Sequence, residues 1–454
     1  MDTISDYRTQ TFLKNYINQQ HLNTNPKLKN IYLCGTGVLK HIGHEPAVLL
    51  FKNKNPNDET HPQAKLFGAI NCNSVWSCPV CSAKAMAKKG AKIACAIDAL
   101  AKWKNQYAVM ITFTIPHTAG MSCQLTFNIL LKAWKRFTKA GNQKSTTYKY
   151  ILKNNKDERS KKGGALGVGK KGTVKIYKKG YDVYGDFRES LNITYTAKVF
   201  EFTWGENSWH PHIHALFWIP KKNLNKILAF EKKLQDRWWD ITKKTTQEFI
   251  PTLTDKLFPE WKKEYHPGVH ISRDKHDPNK PHIQKSSYYI TGWSGDLEAT
   301  SQNKTARNGH YSPFQLLAEA QKTTDTELKE KYLNLFIEYA LATFKHIRVA
   351  FSKNRPESIE SLISRWKKSH DYKESYAKKN TKTEWELVYW FNEQNWSELC
   401  FLETIHNIPI RATILKLSND IDKLELFLSQ INSKFIMHKK YREAEFFENM
   451  LNSA

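Results

Sequence analysis

Apolar and polar positions along the chain predict a run of distinct elements. Ser82 to Lys104 is rich in Ala and Lys and reads as a long helix. A β-like run follows, Tyr107 to Ile115 (YAVMITFTI), and stops at Pro116. Two alternating runs, Ile193 to Thr203 and His212 to Ile219, flank the turn residues GENS and predict a pair of adjacent strands. Helix is expected from about Lys222 to Asp240, and a short strand over Gly268 to Ser272. Ser312-Pro313 is a helix start, helical pieces continue to about Phe344, and His346 to Ser352 reads as one more strand.

Residues from about 141 to 190 break this pattern. They are Gly- and Lys-rich with almost no apolar periodicity, which predicts a mobile basic insertion, either a solvated loop or a flexible phosphate contact. The chain beyond residue 355 reads as helical. There Ile414, Leu417, Ile421, Leu424, Leu428, Ile431 and Phe435 recur at alternating spacings of three and four, an a/d seam that either packs on its own domain or joins a second copy in an oligomer. No internal repeat is present. Three regions result: a Cys-rich N-terminal region with its helix (1–105), a core with the basic insertion (106–355), and a C-terminal helical region (356–454). The fold class expected is α+β, a central antiparallel sheet with helices on one face.

Composition sharpens this. Of 454 residues, 40% are hydrophobic and 13% aromatic, enough for a core and against wholesale disorder. Lys and Arg number 70 against 44 Asp and Glu, a formal charge of +26. Lys and Arg on phosphates release condensed counterions, so DNA or RNA is the partner such a surface favours. No apolar window is long enough to span a bilayer, and MDTISDYRTQ does not resemble a secretory signal, so a cytoplasmic location away from membranes is expected. The seven cysteines are Cys34, Cys72, Cys78, Cys81, Cys95, Cys123 and Cys400. Their odd number argues for reduced thiols, some on metal, rather than a disulfide framework.

The sharpest local feature is WHPHIH, residues 209–214. Side chains two apart on a strand share a face, so His212 and His214 present adjacent imidazoles while Ile213 turns into the core. A tight turn centred on Glu206 and Asn207 places Glu201 opposite His212, with Val199, Glu201 and Thr203 on the histidines' face. An inward carboxylate between Phe200 and Phe202 needs a partner, and a divalent cation is one. Two imidazoles and one carboxylate leave coordination positions open for a phosphate oxygen. Mixed N/O ligation suits Mn²⁺ or Mg²⁺, although the same set serves Zn²⁺ hydrolases and Fe²⁺ oxygenases. Farther along, Tyr288 and Tyr289 stand adjacent, either core aromatics or a nucleophile able to form a phosphoester.

Taken in order, MITFTIPH, then EFTWGENSWHPHIH, then YYITGW resemble the three motifs of rolling-circle replication initiators of small plasmids and phages, members of the HUH endonuclease superfamily. CNSVWSCPVCSAK resembles a cysteine-rich motif of that family, as does SPFQLL with the later strand ending FSK. The similarity covers roughly residues 30 to 355. It implies an HUH core in which Glu201, His212 and His214 bind the metal and Tyr289 is the nucleophile, with Tyr288 as the other choice. It implies a metal-dependent, site-specific endonuclease and strand transferase that nicks one origin strand, leaves a 5′-phosphotyrosine and a free 3′-OH, and religates at termination. Extruded or single-stranded origin DNA, a host helicase and a DNA polymerase are the partners implied.

The chain departs from the family pattern at Gly292, where a lysine is usual, although Trp293 and Glu298 fit. Lys285 stands where some relatives carry a glutamate that activates water for termination, so Glu298, Asp296 or the neighbouring His210 would be accessory groups. Cys72, Cys78 and Cys81, with Cys34 before Gly35 as in the family, would close a structural Zn²⁺ site, an N-terminal zinc knuckle. Trp204 and Trp209 either stack bases or lie in the core. A transposase or relaxase of the same superfamily is the nearest alternative, but relaxases carry the tyrosine before the histidines. A non-enzymatic DNA-binding repressor is the other.

Overall fold

The computed structural model describes residues 3–20, 25–38, 47–54, 63–139, 145–149, 167–169, 173–177, 183–265, 268–284, 310–352, 357–371 and 385–431. The chain opens with α1 (Thr3–Gln20) and two short strands, β1 (Ala47–Asn53) and β2 (Ala64–Phe67). Helix α2 (Pro79–Lys104) begins three residues before the predicted Ser82, with Pro79 in its first turn, where a missing N–H costs nothing. Asn105 ends it in the left-handed conformation (φ 49°) and turns the chain into β3 (Gln106–Thr114). Next come α3 (Cys123–Thr138) and α4 (Val183–Ser190), then the hairpin β4 (Thr196–Gly205) and β5 (Ser208–Pro220). Its turn is Glu206 and Asn207, followed by Ser208 at φ 73°, whose hydroxyl donates to the Met121 carbonyl at 2.7 Å.

The helix expected from Lys222 to Asp240 is instead a 3₁₀ segment, Lys221–Phe230, followed by α5 (Glu231–Phe249). Glu231 is held by the tertiary fold, accepting from the Ile271 N–H at 2.9 Å and pairing with Arg273. Strands β6 (Val269–Ile271) and β7 (Ile283–Gln284) follow. Helix α6 (Pro313–Lys322) starts with a full capping box between Ser312 and Gln315, and α7 (Thr326–Ala342), β8 (Val349–Phe351) and α8 (Ile359–Lys368) complete the core. Beyond it lie β9 (Trp385–Asn392), α9 (Glu393–His406) and α10 (Ile410–Lys416).

The central sheet has the order β7-β3-β5-β4-β8, every pairing antiparallel, with β6 also lying along β3. This is the α+β architecture read from the sequence. Its two faces bury different sets. Phe113, Phe200, Phe202, Trp209, Ile213 and Phe217 point into the large core that includes α3, α5 and α7. Ala108, Ala197, Val199, Leu216 and Trp218 point the other way, beneath α2 and α8. Helices therefore cover both faces rather than one. Among the described residues, the helices on the second face lie over one end of the strands, and the histidines occupy the other.

Within 141–190, the described residues include regular structure where composition suggested a loop. Ser145–Lys149, Thr173–Tyr177 and Gly167–Gly169 form a small antiparallel sheet. Helix α4 buries Tyr184 and Phe187, three residues apart on one face; the Phe187 ring lies 5.3 Å from Phe217 and 5.6 Å from Phe230.

The C-terminal region is neither purely helical nor separate. Strand β9 pairs with β1, which pairs with β2, and α9 and α10 pack on α1. Val48, Leu50, Phe391 and Trp396 share one core with Leu13 and Ile17 of α1. The a/d seam is interrupted by a turn at 417–419; Leu424 and Leu428 are buried within the chain while Ile421 is exposed, so the seam packs on its own molecule. Phe435 lies outside the described residues. Among the described residues, no helix is long and apolar enough to cross a membrane.

Candidate metal centre

The β4–β5 ladder sets the geometry. Glu201 pairs with His212 and Val199 with His214, while β3 places Thr114 opposite His212 and Thr112 opposite His214. Pleating then turns Thr112, Glu201, His212 and His214 to one face of the sheet, beyond the reach of α2 and α8. Glu201 Oε2 lies 3.0 Å from His212 Nε2 and 2.6 Å from His214 Nε2. Among the described residues, the three side chains keep 13–23% of their surface exposed.

Outer contacts orient both rings. His212 Nδ1 faces the His210 carbonyl at 3.3 Å, which places its proton there and leaves Nε2 for a ligand. His214 Nδ1 lies 3.0 Å from Thr112 Oγ1, with Nε2 again turned toward Glu201. Burial holds His214 below the usual imidazole range, so the neutral, ligating form is favoured. His210, on the same face, is pushed down to about 3 by burial and by His212, His117 and His310. The His117 ring stands 4.7 Å from His210.

The donor set fits a divalent cation. Ligand atoms at about 2.1–2.2 Å from one ion stand roughly 3 Å apart, close to the spacing here. Thr112, on β3, and His117, three residues past its end, are residues beside the site that the spacing of the histidines did not single out, although both fall in the Thr-rich MITFTIPH segment. Trp209 belongs to the core: it is fully buried, stacks on Tyr339 at 5.7 Å and donates to Glu338 at 2.9 Å. Trp204 is partly buried beside Tyr311, with the Lys331 ammonium 5.4 Å from its ring centre. Tyr288, Tyr289, Lys285, Gly292, Trp293, Asp296 and Glu298 lie outside the described residues.

A second cluster joins Cys34, Cys72, Cys78 and Cys81, whose sulfurs lie within 4.8 Å of one another. Cys34 Sγ is 3.4 Å from Cys81 Sγ and 3.7 Å from Cys78 Sγ. Four sulfurs at ~2.3 Å from a tetrahedral ion stand roughly 3.8 Å apart, so this set also is compatible with a metal. The surrounding thiols, Cys72 foremost, hold Cys34 well below the usual thiol range, as burial pushes Cys78 up. Cys95, Cys123 and Cys400 are buried outside this group.

Fold and centre together define an α+β protein with a histidine–carboxylate cluster, compatible with a metal, on an antiparallel sheet. The chain is similar to a Streptomyces lividans protein named "Protein rep", 25% identical over 268 residues, which covers 56% of this chain and 53% of that protein. It is also similar to a Streptomyces cyanogenus protein named "Neomycin resistance protein", 26% identical over 156 residues, 34% of this chain and 31% of that one. The chain thus spans about half the length of the first relative and less of the second. No family model matches, and no solved structure matches.

Proposed function

We propose that the chain is a rolling-circle plasmid replication initiator, a metal-dependent endonuclease of the HUH type that nicks and rejoins one strand of the origin through a tyrosine. The observation that carries this reading is the convergence of Glu201, His212 and His214 on one face of the sheet. The +26 charge and the relative named "Protein rep" support DNA replication as the setting.

A divalent cation held by Glu201, His212 and His214, Mn²⁺ or Mg²⁺, would withdraw charge from the scissile phosphate. The chain's own groups do the rest. Thr112 and the His210 carbonyl fix the imidazoles, and a single strand lies against that face. The Tyr289 hydroxyl attacks phosphorus, with Tyr288 as the alternative. The P–O3′ bond breaks as the Tyr–O–P bond forms, the phenolic proton is lost, and the departing 3′ oxygen takes up a proton. One phosphodiester becomes one 5′-phosphotyrosine and a free 3′-OH, which primes a host polymerase behind a host helicase, and the reverse reaction religates. Zn²⁺ at the four cysteines serves structure.

The test is to incubate the protein with Mn²⁺ and single-stranded origin DNA and look for a protein–DNA adduct that survives denaturant. An adduct lost in Tyr289→Phe and kept in Tyr288→Phe supports the assignment; the reverse moves the nucleophile by one residue. No adduct with origin DNA overturns the nuclease reading and favours a DNA-binding repressor.

A further inference from the structure

The four cysteines stand where both ends of the described chain meet. From α1, Gln10 Nε2 donates to Cys78 Sγ at 2.9 Å, and the fully buried Lys14 ammonium donates to the Cys34 carbonyl. From the C-terminal side, Trp396 Nε1 donates to the Gly35 carbonyl at 2.8 Å, and Arg411 Nη1 reaches the Cys34 carbonyl at 3.5 Å. Gly35 has φ +77°, and a Cβ there would collide with the Arg411 guanidinium, so only glycine suits both backbone and neighbour. Backbone N–H groups also point at the sulfurs, Cys72 N to Cys34 Sγ at 3.3 Å and Ser74 N to Cys72 Sγ at 3.5 Å.

The charges around this cluster are unequal. Lys14 and Arg411 are almost completely buried. Lys84 stands one turn after Cys81 on α2, its ammonium 5.9 Å from the centre of the Tyr7 ring, which Arg411 also faces at 5.1 Å. Glu403 pairs with Arg411 and is bonded to Thr11 at 2.8 Å. Lys14 and Arg411 are thus buried cations beside Glu403, in surroundings where an unbalanced charge is costly, whereas Lys84 is exposed to solvent. Four protonated thiols offset neither buried cation. A divalent ion on four thiolates carries two negative charges, which these cations face at the Cys34 carbonyl.

We propose that a metal–tetrathiolate cluster at Cys34, Cys72, Cys78 and Cys81 is electrostatically completed by Lys14 and Arg411, and so clasps α1, α9 and α10 to the central sheet. This rests on the structural-zinc reading above. Lys14 and Arg411 are positioning residues: they touch the Cys34 carbonyl and the cluster's field, not the ion. Removing the metal takes away the negative charge that the buried Lys14 and Arg411 face. It releases α1, α9 and α10, while the β4–β5 hairpin keeps its own core.

The experiment uses the full chain loaded with Co²⁺, whose absorption bands report tetrahedral thiolate ligation, and measures affinity by chelator competition. Lys14→Met and Arg411→Met are expected to keep the tetrathiolate spectrum but bind ~10–100-fold more weakly, the effect of losing an outer partner. Glu403→Gln removes the opposing charge and is expected to bind at least as tightly, although it too breaks the buried pair. A purely structural role would weaken all three alike, and that result, or unchanged affinity in all three, overturns the proposal. Hydrogen exchange on the wild type needs no variant: chelation is expected to speed exchange in residues 3–20 and 393–416 but not in 196–220. Uniform exchange changes would overturn the clasp. A wild type with no thiolate spectrum at all instead overturns the zinc reading beneath it.

Discussion

Glu201 stands directly opposite His212 in the β4–β5 ladder, and its Oε2 atom also reaches His214, two residues farther along the same face. One carboxylate oxygen shared by two imidazoles is an arrangement that a cation occupies without moving the backbone. The hairpin turn at Glu206 and Asn207 fixes that register, since a slip of one residue would turn Glu201 to the opposite face.

Replacing Glu201 removes a ligand but little packing, because the side chain is partly exposed. Glu201→Gln should weaken Mn²⁺ binding, measured by calorimetry, by more than the ~10–100-fold typical of losing an outer partner. The thermal midpoint without metal should stay close to wild type.

Thr112→Val keeps the shape of the side chain and removes the hydroxyl 3.0 Å from His214 Nδ1. Mn²⁺ affinity should fall ~10-fold as the ring loses its orienting contact. Unchanged affinity in a folded Thr112→Val protein would show that β5 alone orients His214.

Trp209 separates a packing role from base stacking. Trp209→Ala should cost about 3–5 kcal/mol of stability in denaturant unfolding, because a fully buried indole leaves a cavity and Glu338 loses its N–H donor. A folded variant of wild-type stability that failed only in DNA binding would contradict the core assignment.

Acid should loosen the contact between α3 and α5. Arg136, with Lys132, holds Glu248 down to about 2. A carboxyl depressed in the folded state contributes stability above its unfolded value of ~4.3, and that contribution is lost as pH falls toward about 2. Glu248→Gln should therefore flatten the fall of the thermal midpoint across that window. The pair is exposed, so 1 M salt should shrink the difference between the two proteins.

The metal-type centre was legible because a strand's period of two and a two-residue turn fix which side chains meet, and His212, His214 and Glu201 obey both. The Ser312 helix start was legible for a similar local reason. What sequence did not reveal depends on distant partners. Strand β9 (WELVYWFN) has no local cue comparable to a cap, and its register comes from β1, more than 300 positions earlier. Lys14 and Arg411 sit in ordinary helical stretches, and their burial beside Cys34 follows only from the closure of the chain ends. The WHPHIH motif names Trp209 without showing that Tyr339 and Glu338 enclose it. Tyr184 and Phe187 were hidden by the basic composition on either side.

The most direct measurement of the central claim is the yield of denaturant-stable protein–DNA adduct as Mn²⁺ is titrated, comparing wild type with His212→Ala. With a cation at Glu201, His212 and His214 driving the nick, wild-type yield rises and saturates with metal and falls to background with chelator. It is lost in His212→Ala at any Mn²⁺ concentration near wild-type saturation. Equal adduct in the variant, or full yield under chelator, would contradict a metal-dependent nick at this centre.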